Sequence, residues 1–364
     1  LILAILLANS AEDIAVAIPM AFFSAIGYAA RRGVIIKGED SLKGLTKVKT
    51  IIVDKTGTLT LGHLEVQKIV PFGEYAIEEV SKIAASTEFF SEHPAAKAIL
   101  NYARSQKLSY EKPDAFEEKP GRGIVTTYAG KKLIARRKNT IQEMQNTVQS
   151  SEFQTIKKKK KKGFGITLIG DEHKLIGLIV LADKIRPGIK EAIAKLRGFG
   201  ITHWVMLTGD NEKVASRVAT ELNIGEFHAN LLPEQKVDYI KRHLKKFPKT
   251  AMIGDGVNDA ASLALADVGI AMGAIGSDAA IEAADIALMK DDIAEIPEIV
   301  ELGRYTLRIA RQDFFIWGVT NFLGLALVFS RTIGPEGAAA YNFITDFFPL
   351  INSLRLFNLH LKIK

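Results

Sequence analysis

One aspartate in this chain directly follows a β-branched run, in a position suited to chemistry on phosphorus. The run Thr-Ile-Ile-Val predicts a buried strand, and Asp54 follows it, with Lys55 and Thr56 next in the chain. Open α/β sheets bind ligands at the carboxyl ends of their strands, so we expect these side chains at a ligand site. A carboxylate there can attack a phosphoryl group and form an aspartyl-phosphate. Asp54 is therefore the predicted nucleophile, and Lys55 and Thr56 are further catalytic candidates.

Three later segments supply the other groups that phosphoryl transfer needs. Thr208, Gly209 and Asp210 end a second predicted strand, where a hydroxyl and backbone amides can hold the transferred group. Lys236 lies on a predicted helix and can neutralise phosphate charge. The sequence Gly-Asp-Gly-Val-Asn-Asp at 254–259 offers carboxylate and amide oxygens, which suit Mg²⁺. The candidate Mg²⁺ ligands are Asp54, Thr56, Asp255, Asn258 and Asp259. Such a site works by positioning and electrostatic stabilisation.

The elements that position these loops alternate between strands and helices. Short apolar, β-rich runs that end in Gly or Asp, or are followed by one, occur at 50–54, 204–210, 251–255 and 268–272. Helical patterns lie between the later runs, at 189–199, 211–222 and 233–244. This alternation predicts a parallel sheet with helices on both faces.

A segment with a different pattern of helices and strands, 65–175, interrupts this alternation. It contains two helical patterns, at 76–86 and 94–106, followed by short strand patterns at 123–128, 132–135 and 165–169. We therefore predict a separate, inserted α+β module.

The net charge is concentrated in one place. The formal charge is +7, but without the lysine run 157–162 there are 42 basic against 41 acidic residues. A nucleic-acid-binding face is therefore not implied. The run is either a contact for anionic lipid or polyphosphate, or, as we favour, a solvated loop or low-complexity expansion.

Three stretches are apolar enough to lie in a bilayer, at about 1–30, 314–330 and 337–356. Short apolar segments can also be core helices of a soluble protein, which is the alternative for each. Acidic residues within such spans are costly and are therefore functional candidates. The chain has no cysteine, so a metal here must be bound by oxygen or imidazole.

The order and spacing of Asp-Lys-Thr-Gly-Thr-Leu-Thr, Thr-Gly-Asp and Gly-Asp-Gly-Val-Asn-Asp-Ala resemble the P-type ATPases. The phosphorylation domain of that family belongs to the haloacid dehalogenase superfamily. Ser-Glu-His-Pro at 91–94, followed by Gly-Arg-Gly at 121–123, is similar to the nucleotide-binding domain of the heavy-metal-transporting subgroup. The segment 182–187 resembles the hinge that returns from that domain, and 350–356 resembles the final membrane helix. The resemblance implies that ATP is contacted by Glu88, His93, Gly121 and Gly123.

This resemblance implies a haloacid dehalogenase-like α/β domain with an inserted α+β domain and transmembrane helices. The expected domains are a transmembrane site helix at 1–32, a phosphorylation domain at 33–64 and 177–304, a nucleotide-binding domain at 65–176, and two transmembrane helices at 305–364.

Two departures from the family pattern limit the resemblance. Ser10, Ala11 and Glu12 occupy the place of the subgroup's cysteine-proline motif, and carboxylates suit harder ions than thiolates do. The candidate ligands for a transported ion are Glu12, Asp13, Asn321, Asn342 and Asp346. The Thr-Gly-Glu motif of the actuator domain, which serves dephosphorylation, does not occur, so we expect a C-terminal portion that does not complete a transport cycle alone.

The predicted function is ATP-driven cation transport through an aspartyl-phosphate, with ATP and Mg²⁺. The expected protein is integral and multi-pass, with cytoplasmic catalytic domains, and its partners are the transported cation, the bilayer and the missing N-terminal part. Two alternatives stay open: a soluble phosphatase of the same superfamily, and a truncated nucleotide-binding pseudo-transporter that regulates a partner.

Overall fold

The computed structural model describes residues 2–8, 12–119, 123–128, 131–136, 150–171, 174–256, 259–273, 278–290 and 292–357. The chain forms two compact units. The first comprises Leu1–Asp54, Gly188–Val205 and Leu232–Lys364, and the second comprises Lys55–Pro187 and Met206–Leu231. The predicted domain boundaries differ from this division and stay predictions.

The helices and strands are numbered in chain order. The helices are α1 Ile2–Ala8, α2 Glu12–Ala30, α3 Glu39–Lys47, α4 Ile77–Thr87, α5 Pro94–Ser105, α6 Ser150–Lys161, α7 Ile189–Gly198, α8 Glu212–Glu221, α9 Pro233–Lys246, α10 Ala260–Leu265, α11 Asp278–Ala283, α12 Glu295–Phe329, α13 Pro335–Thr345 and α14 Phe347–Leu354. The strands are β1 Val34–Ile36, β2 Thr50–Asp54, β3 Thr60–Pro71, β4 Ala115–Lys119, β5 Gly123–Tyr128, β6 Lys131–Arg136, β7 Gly165–Asp171, β8 Leu175–Ile185, β9 His203–Leu207, β10 Glu226–His228, β11 Thr250–Gly254, β12 Val268–Ala271 and β13 Ile286–Leu288.

The first unit contains a largely parallel sheet. Its strands lie in the order β1-β13-β12-β11-β2-β9, and β11 pairs in parallel with both β2 and β12. Every residue of β2 and β11 is buried, as expected for strands that are covered on both faces. This confirms the predicted α/β sheet. One difference is β1, a short edge strand that runs antiparallel to β13.

The same unit contains the apolar helices. Among the described residues, two stretches are long and apolar enough to cross a membrane, Ile2–Ala30 and Glu295–Phe329. The second begins well before the span predicted at 314–330. The third predicted span, 337–356, is divided into α13 and α14 at Asp346. Pro349 lacks the backbone N–H that would bond the carbonyl of Thr345, which accounts for the interruption.

The second unit is built on an antiparallel sheet with the strand order β3-β8-β7-β6-β5-β4. On one face, Ile69, Ile124 and Ile179 pack with Val80 of α4 and Ile99 of α5. This arrangement matches the predicted α+β module, except that β3, β4 and β8 were not anticipated. Most of the lysine run lies in α6 rather than in a loop. Ile156 anchors that helix against the opposite face of the sheet, and this burial explains why the segment is helical.

Candidate active site

The predicted nucleophile lies in a buried group of charges in the first unit. Asp54 ends β2, and the ammonium of Lys236 on α9 donates to its Oδ1 at 2.5 Å. The same ammonium donates to Oδ1 of Asp259 at 3.1 Å. Asp54 and Asp259 are only 4% and 2% exposed. Lys236 therefore neutralises two buried carboxylates at the carboxyl end of the sheet.

The electrostatics of this group favour a reactive carboxylate. Burial raises the pKa of Asp54 to about 6, and the charge of Asp259 adds to this, whereas Lys236 opposes it. Burial likewise raises the pKa of Asp259, and the charge of Lys236 again opposes this rise. Burial alone would lower the pKa of Lys236, but Asp54 and Asp259 raise it, so the ammonium stays charged. At neutral pH Asp54 is therefore mostly ionised yet poorly solvated, as a nucleophile should be.

The residues around Asp54 fit a Mg²⁺ site that a phosphate would complete. The charge of Asp255, the residue after β11, reaches both Asp54 and Asp259. In the part of the chain that the structure describes, no three carboxylate or imidazole groups lie close enough together to hold a metal ion. Mg²⁺ usually binds through one or two carboxylates plus phosphate and water, so such a cluster is not required. Asn258 lies outside the described residues.

The loop after β11 depends on Gly256. Its φ is +76°, and a Cβ added there would lie 2.2 Å from the Cβ of Ala280. A side chain is therefore excluded both by the left-handed backbone and by the contact. This close packing fixes the loop that carries Asp255.

A second group of charges lies in the second unit and centres on Lys55. Its ammonium contacts Oδ2 of Asp210 at 2.6 Å and Oδ2 of Asp183 at 3.1 Å. Thr60 Oγ1 donates to the same Asp183 oxygen at 2.6 Å. Lys55 thus links the loop after β2 to two other segments, and its charge is balanced locally. Asp183 lies in the segment that resembles the hinge, and its sequence position alone does not indicate this role.

Arg186 in the same hinge holds the backbone of the loop after β2. Its Nε donates to the carbonyl of Thr58 at 3.0 Å, and a terminal nitrogen donates to that of Gly57 at 2.6 Å. Gly57 has a φ of +74°, which suits glycine. The hydrogen bonds explain how this turn keeps its shape, and no local signal in the sequence marks them.

The Thr-Gly-Asp loop is fixed by its own hydrogen bonds in the second unit. Thr208 Oγ1 accepts from the backbone N–H of Asp210 at 3.1 Å. The backbone N–H of Thr208 donates to the carbonyl of His228, and its carbonyl accepts from Leu231. A Cβ at Gly209 would approach the Leu231 carbonyl to 3.3 Å. The loop is therefore ordered before any ligand binds.

Three of the residues predicted to contact nucleotide, Glu88, His93 and Gly123, are described in the second unit. Glu88 is buried where α4 ends, and His93 caps α5. The Nδ1 of His93 accepts from the backbone N–H of Ala95 at 3.0 Å, so in the neutral ring Nε2 carries the hydrogen and is a donor. Gly123 begins β5 with a φ of +113°. Gly121 lies outside the described residues.

Two adjoining cavities extend from His93 to the loop after β2. The His93 cavity has a volume of about 620 Å³ and is lined by His93, Phe164 and Thr167 among others. The Lys55 cavity has a volume of about 810 Å³ and is lined by Lys55, Thr56, Asp210 and others. Both belong to the second unit and share the lining residues Leu64, Gly163, Gly165, Leu181 and Val214. Their size suits a ligand such as a nucleotide.

The candidate ligands for a transported ion lie in the first unit. Among these candidates, Asp13, Asn321 and Asp346 each have a buried Oδ1 without a hydrogen-bond partner in the part of the chain that the structure describes. Asn342 Nδ2 donates to the other oxygen of Asp346 at 3.4 Å. Asp346 also lies within electrostatic reach of Asp13 and Glu12. The structure therefore brings Asp346 close to Asn342, Asp13 and Glu12, and buried oxygens remain available there.

Comparison with known proteins identifies the family. A model of the haloacid dehalogenase-like hydrolases matches residues 48–267. The chain is 36% identical over 97% of its length to a cadmium-transporting ATPase of Staphylococcus aureus, covering 49% of that protein. It is 34% identical over 93% of its length to a manganese-exporting P-type ATPase of Mycobacterium bovis, covering 47% of that protein.

Solved structures agree with these relatives. A zinc-transporting PIB-type ATPase, crystallised in the E2.Pi state, matches with a TM-score of 0.84 and 32% identity. The match covers 95% of this chain and 56% of that one. The chain therefore spans about half the length of the curated relatives that it matches. It belongs to the P-type ATPases, within the haloacid dehalogenase-like hydrolases, and resembles their heavy-metal-transporting subgroup.

Proposed function

We propose that this chain carries the ATP-hydrolysing machinery of a cation transporter that works through an aspartyl-phosphate. The observation that carries the proposal is the buried Asp54 at the carboxyl end of β2, with Lys236 shared between it and Asp259. A buried, ionised carboxylate with a fixed cation beside it suits attack on phosphorus. The family membership supports the same chemistry.

In the proposed mechanism, an Asp54 oxygen attacks the γ-phosphorus of ATP, the bond from that phosphorus to the bridging oxygen breaks, and ADP leaves. Lys236 neutralises the negative charge on the phosphoryl oxygens. The transferred group is held by Thr208 and by the amides of Gly209 and Asp210. Lys55 holds the Thr-Gly-Asp loop in place through its ion pair with Asp210. Mg²⁺, held by Asp54, Thr56, Asp255, Asn258 and Asp259, would supply charge neutralisation on the phosphates.

A nucleotide is proposed to occupy the His93 and Lys55 cavities, with the base near His93 and the phosphates near Lys55. In the neutral ring Nε2 of His93 is a hydrogen-bond donor. Glu88, Gly121 and Gly123 are the other proposed contacts, although Glu88 and Gly123 are not among the described residues that line either cavity. The volumes of the two cavities support this placement. It also leads the phosphate chain toward the loop that follows Asp54.

The proposed protein is integral to a membrane and multi-pass, with its catalytic domains in the cytoplasm. Support comes from the two stretches of spanning length and from the transporters that the chain resembles. The proposed partners are the transported cation, the bilayer and the remaining half of the transporter.

Labelling with γ-labelled ATP tests the function directly. The proposal expects an acid-stable, hydroxylamine-sensitive phosphoenzyme in the membrane fraction. A soluble phosphatase would instead stay out of that fraction and hydrolyse phosphate esters without nucleotide. A nucleotide-binding regulator would bind ATP and never become labelled. Either of these two results would replace the proposal.

The proposed cargo is a hard cation, because its candidate ligands are oxygens. Burying the carboxylates Glu12, Asp13 and Asp346 in a membrane is costly unless a cation or another partner compensates. Carboxylate and amide oxygens suit Mg²⁺, Ca²⁺ and Mn²⁺ better than copper(I). One relative is named for manganese export, and Mn²⁺ is therefore the first ion to test.

A prediction follows for ion-stimulated ATPase activity of the whole transporter. Glu12→Gln or Asp346→Asn should raise the concentration of Mn²⁺ needed for half-maximal stimulation at least about tenfold, because each removes a charged oxygen. Glu336 is exposed in the first turn of α13, so Glu336→Gln is a matched control that should leave stimulation unchanged. Stimulation by Cu⁺ or Zn²⁺ alone, unaffected by either substitution, would contradict oxygen ligation.

A second prediction concerns ATP affinity. His93→Ala removes the proposed donor, and Gly123→Asp places a side chain and a negative charge where backbone should approach phosphate. Each should weaken ATP binding to the full chain by about fivefold or more, because the first variant loses one hydrogen bond and the second adds a negative charge beside the phosphates. Calorimetry measures the change.

Gly73 provides the control for the glycine substitution. It also has a positive φ, +60°, and nothing lies within 4 Å of an added Cβ. Gly73→Asp therefore adds the same charged side chain at another glycine of positive φ and should leave ATP affinity unchanged. If neither His93→Ala nor Gly123→Asp weakens binding, the nucleotide site lies elsewhere.

A further inference from the structure

One arginine in the Lys55 cavity differs from the other cations that line it. Lys55 is paired with Asp183 and Asp210, and Lys97 is paired with Glu92 at 3.0 Å. Arg217, on α8, forms no ion pair or hydrogen bond with any residue that the structure describes. Its Nε is buried and has no acceptor there. A buried guanidinium nitrogen without an acceptor is costly, which points to an acceptor that arrives from outside.

The surroundings of Arg217 keep its charge within reach of the cavity. Burial lowers the pKa of its guanidinium, while the more distant carboxylates Glu221, Asp183 and Asp210 raise it. An arginine remains protonated at physiological pH even so. None of these carboxylates forms an ion pair with Arg217, and they act on its charge only from a distance.

The orientation of Arg217 is fixed by an aromatic ring. Its guanidinium carbon lies 4.9 Å from the centre of the Phe164 ring, which is a cation–π contact. Gly163 lets this ring approach α8 closely, because a Cβ there would lie 2.3 Å from the carbonyl of Lys213. Phe164 also lines the neighbouring His93 cavity. The ring therefore holds Arg217 at the junction of the two cavities without satisfying its hydrogen bonds.

We propose that Arg217 binds the phosphate chain of the nucleotide, as a positioning contact that the motifs of the sequence do not mark. The inference rests on the proposed function, since it needs ATP in these cavities. An arginine fork can bind phosphate oxygens through two parallel hydrogen bonds, which a lysine cannot do. Arg217 would thereby orient the γ-phosphate in the cavity that also contains Lys55 and Thr56.

The test compares AMP, ADP and ATP binding to the full chain by calorimetry, with Mg²⁺ present. Arg217→Gln should weaken ATP binding by about tenfold to a hundredfold while AMP affinity stays within about twofold. Arg217→Lys keeps the charge without the fork, so its loss should be smaller than that of Arg217→Gln. The exposed Arg104 at the end of α5 gives the control, Arg104→Gln, which should bind all three nucleotides normally.

The nucleotide series separates a phosphate contact from a structural one. Equal losses for AMP, ADP and ATP, or no loss for any of them, would overturn the assignment to Arg217. In both cases wild-type labelling of Asp54 would still stand, so the proposed function would survive. If Arg217→Gln does not fold, modification of wild-type arginines by phenylglyoxal decides: ATP should protect Arg217 and AMP should not. Equal protection by both would overturn the inference.

Discussion

Replacing Asp54 with asparagine should lower the yield of acid-stable phosphoenzyme from γ-labelled ATP on the order of a thousandfold or more. The amide keeps the shape of the side chain but cannot attack phosphorus to form an acyl-phosphate. ATP affinity should change little, because the proposed nucleotide contacts lie in the second unit. The substitution thus separates binding from chemistry.

Asp40 provides the matched control for this substitution. It is an exposed carboxylate in the first turn of α3, so Asp40→Asn removes the same charge away from the site. Labelling of the Asp40 variant should equal that of the wild type. Hydroxylamine-sensitive label that persists in Asp54→Asn would show that another residue is the nucleophile.

The strands that position Asp54 could be predicted because they are local, continuous apolar runs. The run at 50–54 coincides with β2, and the run at 251–255 is shifted by one residue from β11. Central parallel strands are buried on both faces, so their sequences carry a strong signal that does not depend on partners. The loops at their carboxyl ends then follow from the general rule for ligand sites in such sheets.

The contacts that hold the loop after β2 could not be predicted in the same way. Lys55 meets Asp183, and Arg186 meets the carbonyl of Thr58, across 128 residues of sequence in each case. Such pairs depend on how β3 and β8 align, and that register has irregularities of its own. The resemblance to a hinge draws attention to Asp183 and Arg186, whereas only the fold shows which atoms they contact.

Two segments differ from expectation for local reasons. The lysine run favours a solvated loop or a low-complexity expansion by its composition, yet the preceding residues form a helix whose Ile156 is buried, and most of the lysines extend it. In the third apolar stretch, Pro349 removes one backbone hydrogen bond, and the helix is divided at Asp346. In both cases a single side chain decides the local structure.

Lys236→Met should slow phosphoenzyme formation by about a hundredfold or more, the size of effect expected when one preorganised charge is lost at a reacting centre. Methionine fills similar space but leaves Asp54 and Asp259 as two buried carboxylates without their shared cation. Lys241, exposed on the same helix α9, supplies the control Lys241→Met, which should label normally. Rapid-quench labelling measures the rate.

The pH dependence of that rate distinguishes an electrostatic role for Lys236 from a purely steric one. Ionised Asp54 is the attacking form, so the rate falls as the pH drops through the pKa of Asp54. Burial and Asp259 raise this pKa and Lys236 lowers it. Removing the ammonium should therefore raise the pKa and move the acid limb of the rate profile to higher pH, at one fixed Mg²⁺ concentration. Lys236→Arg keeps the charge and should leave the limb near its wild-type position. An acid limb that stays in place or moves to lower pH in Lys236→Met would show that Lys236 does not set the ionisation of Asp54.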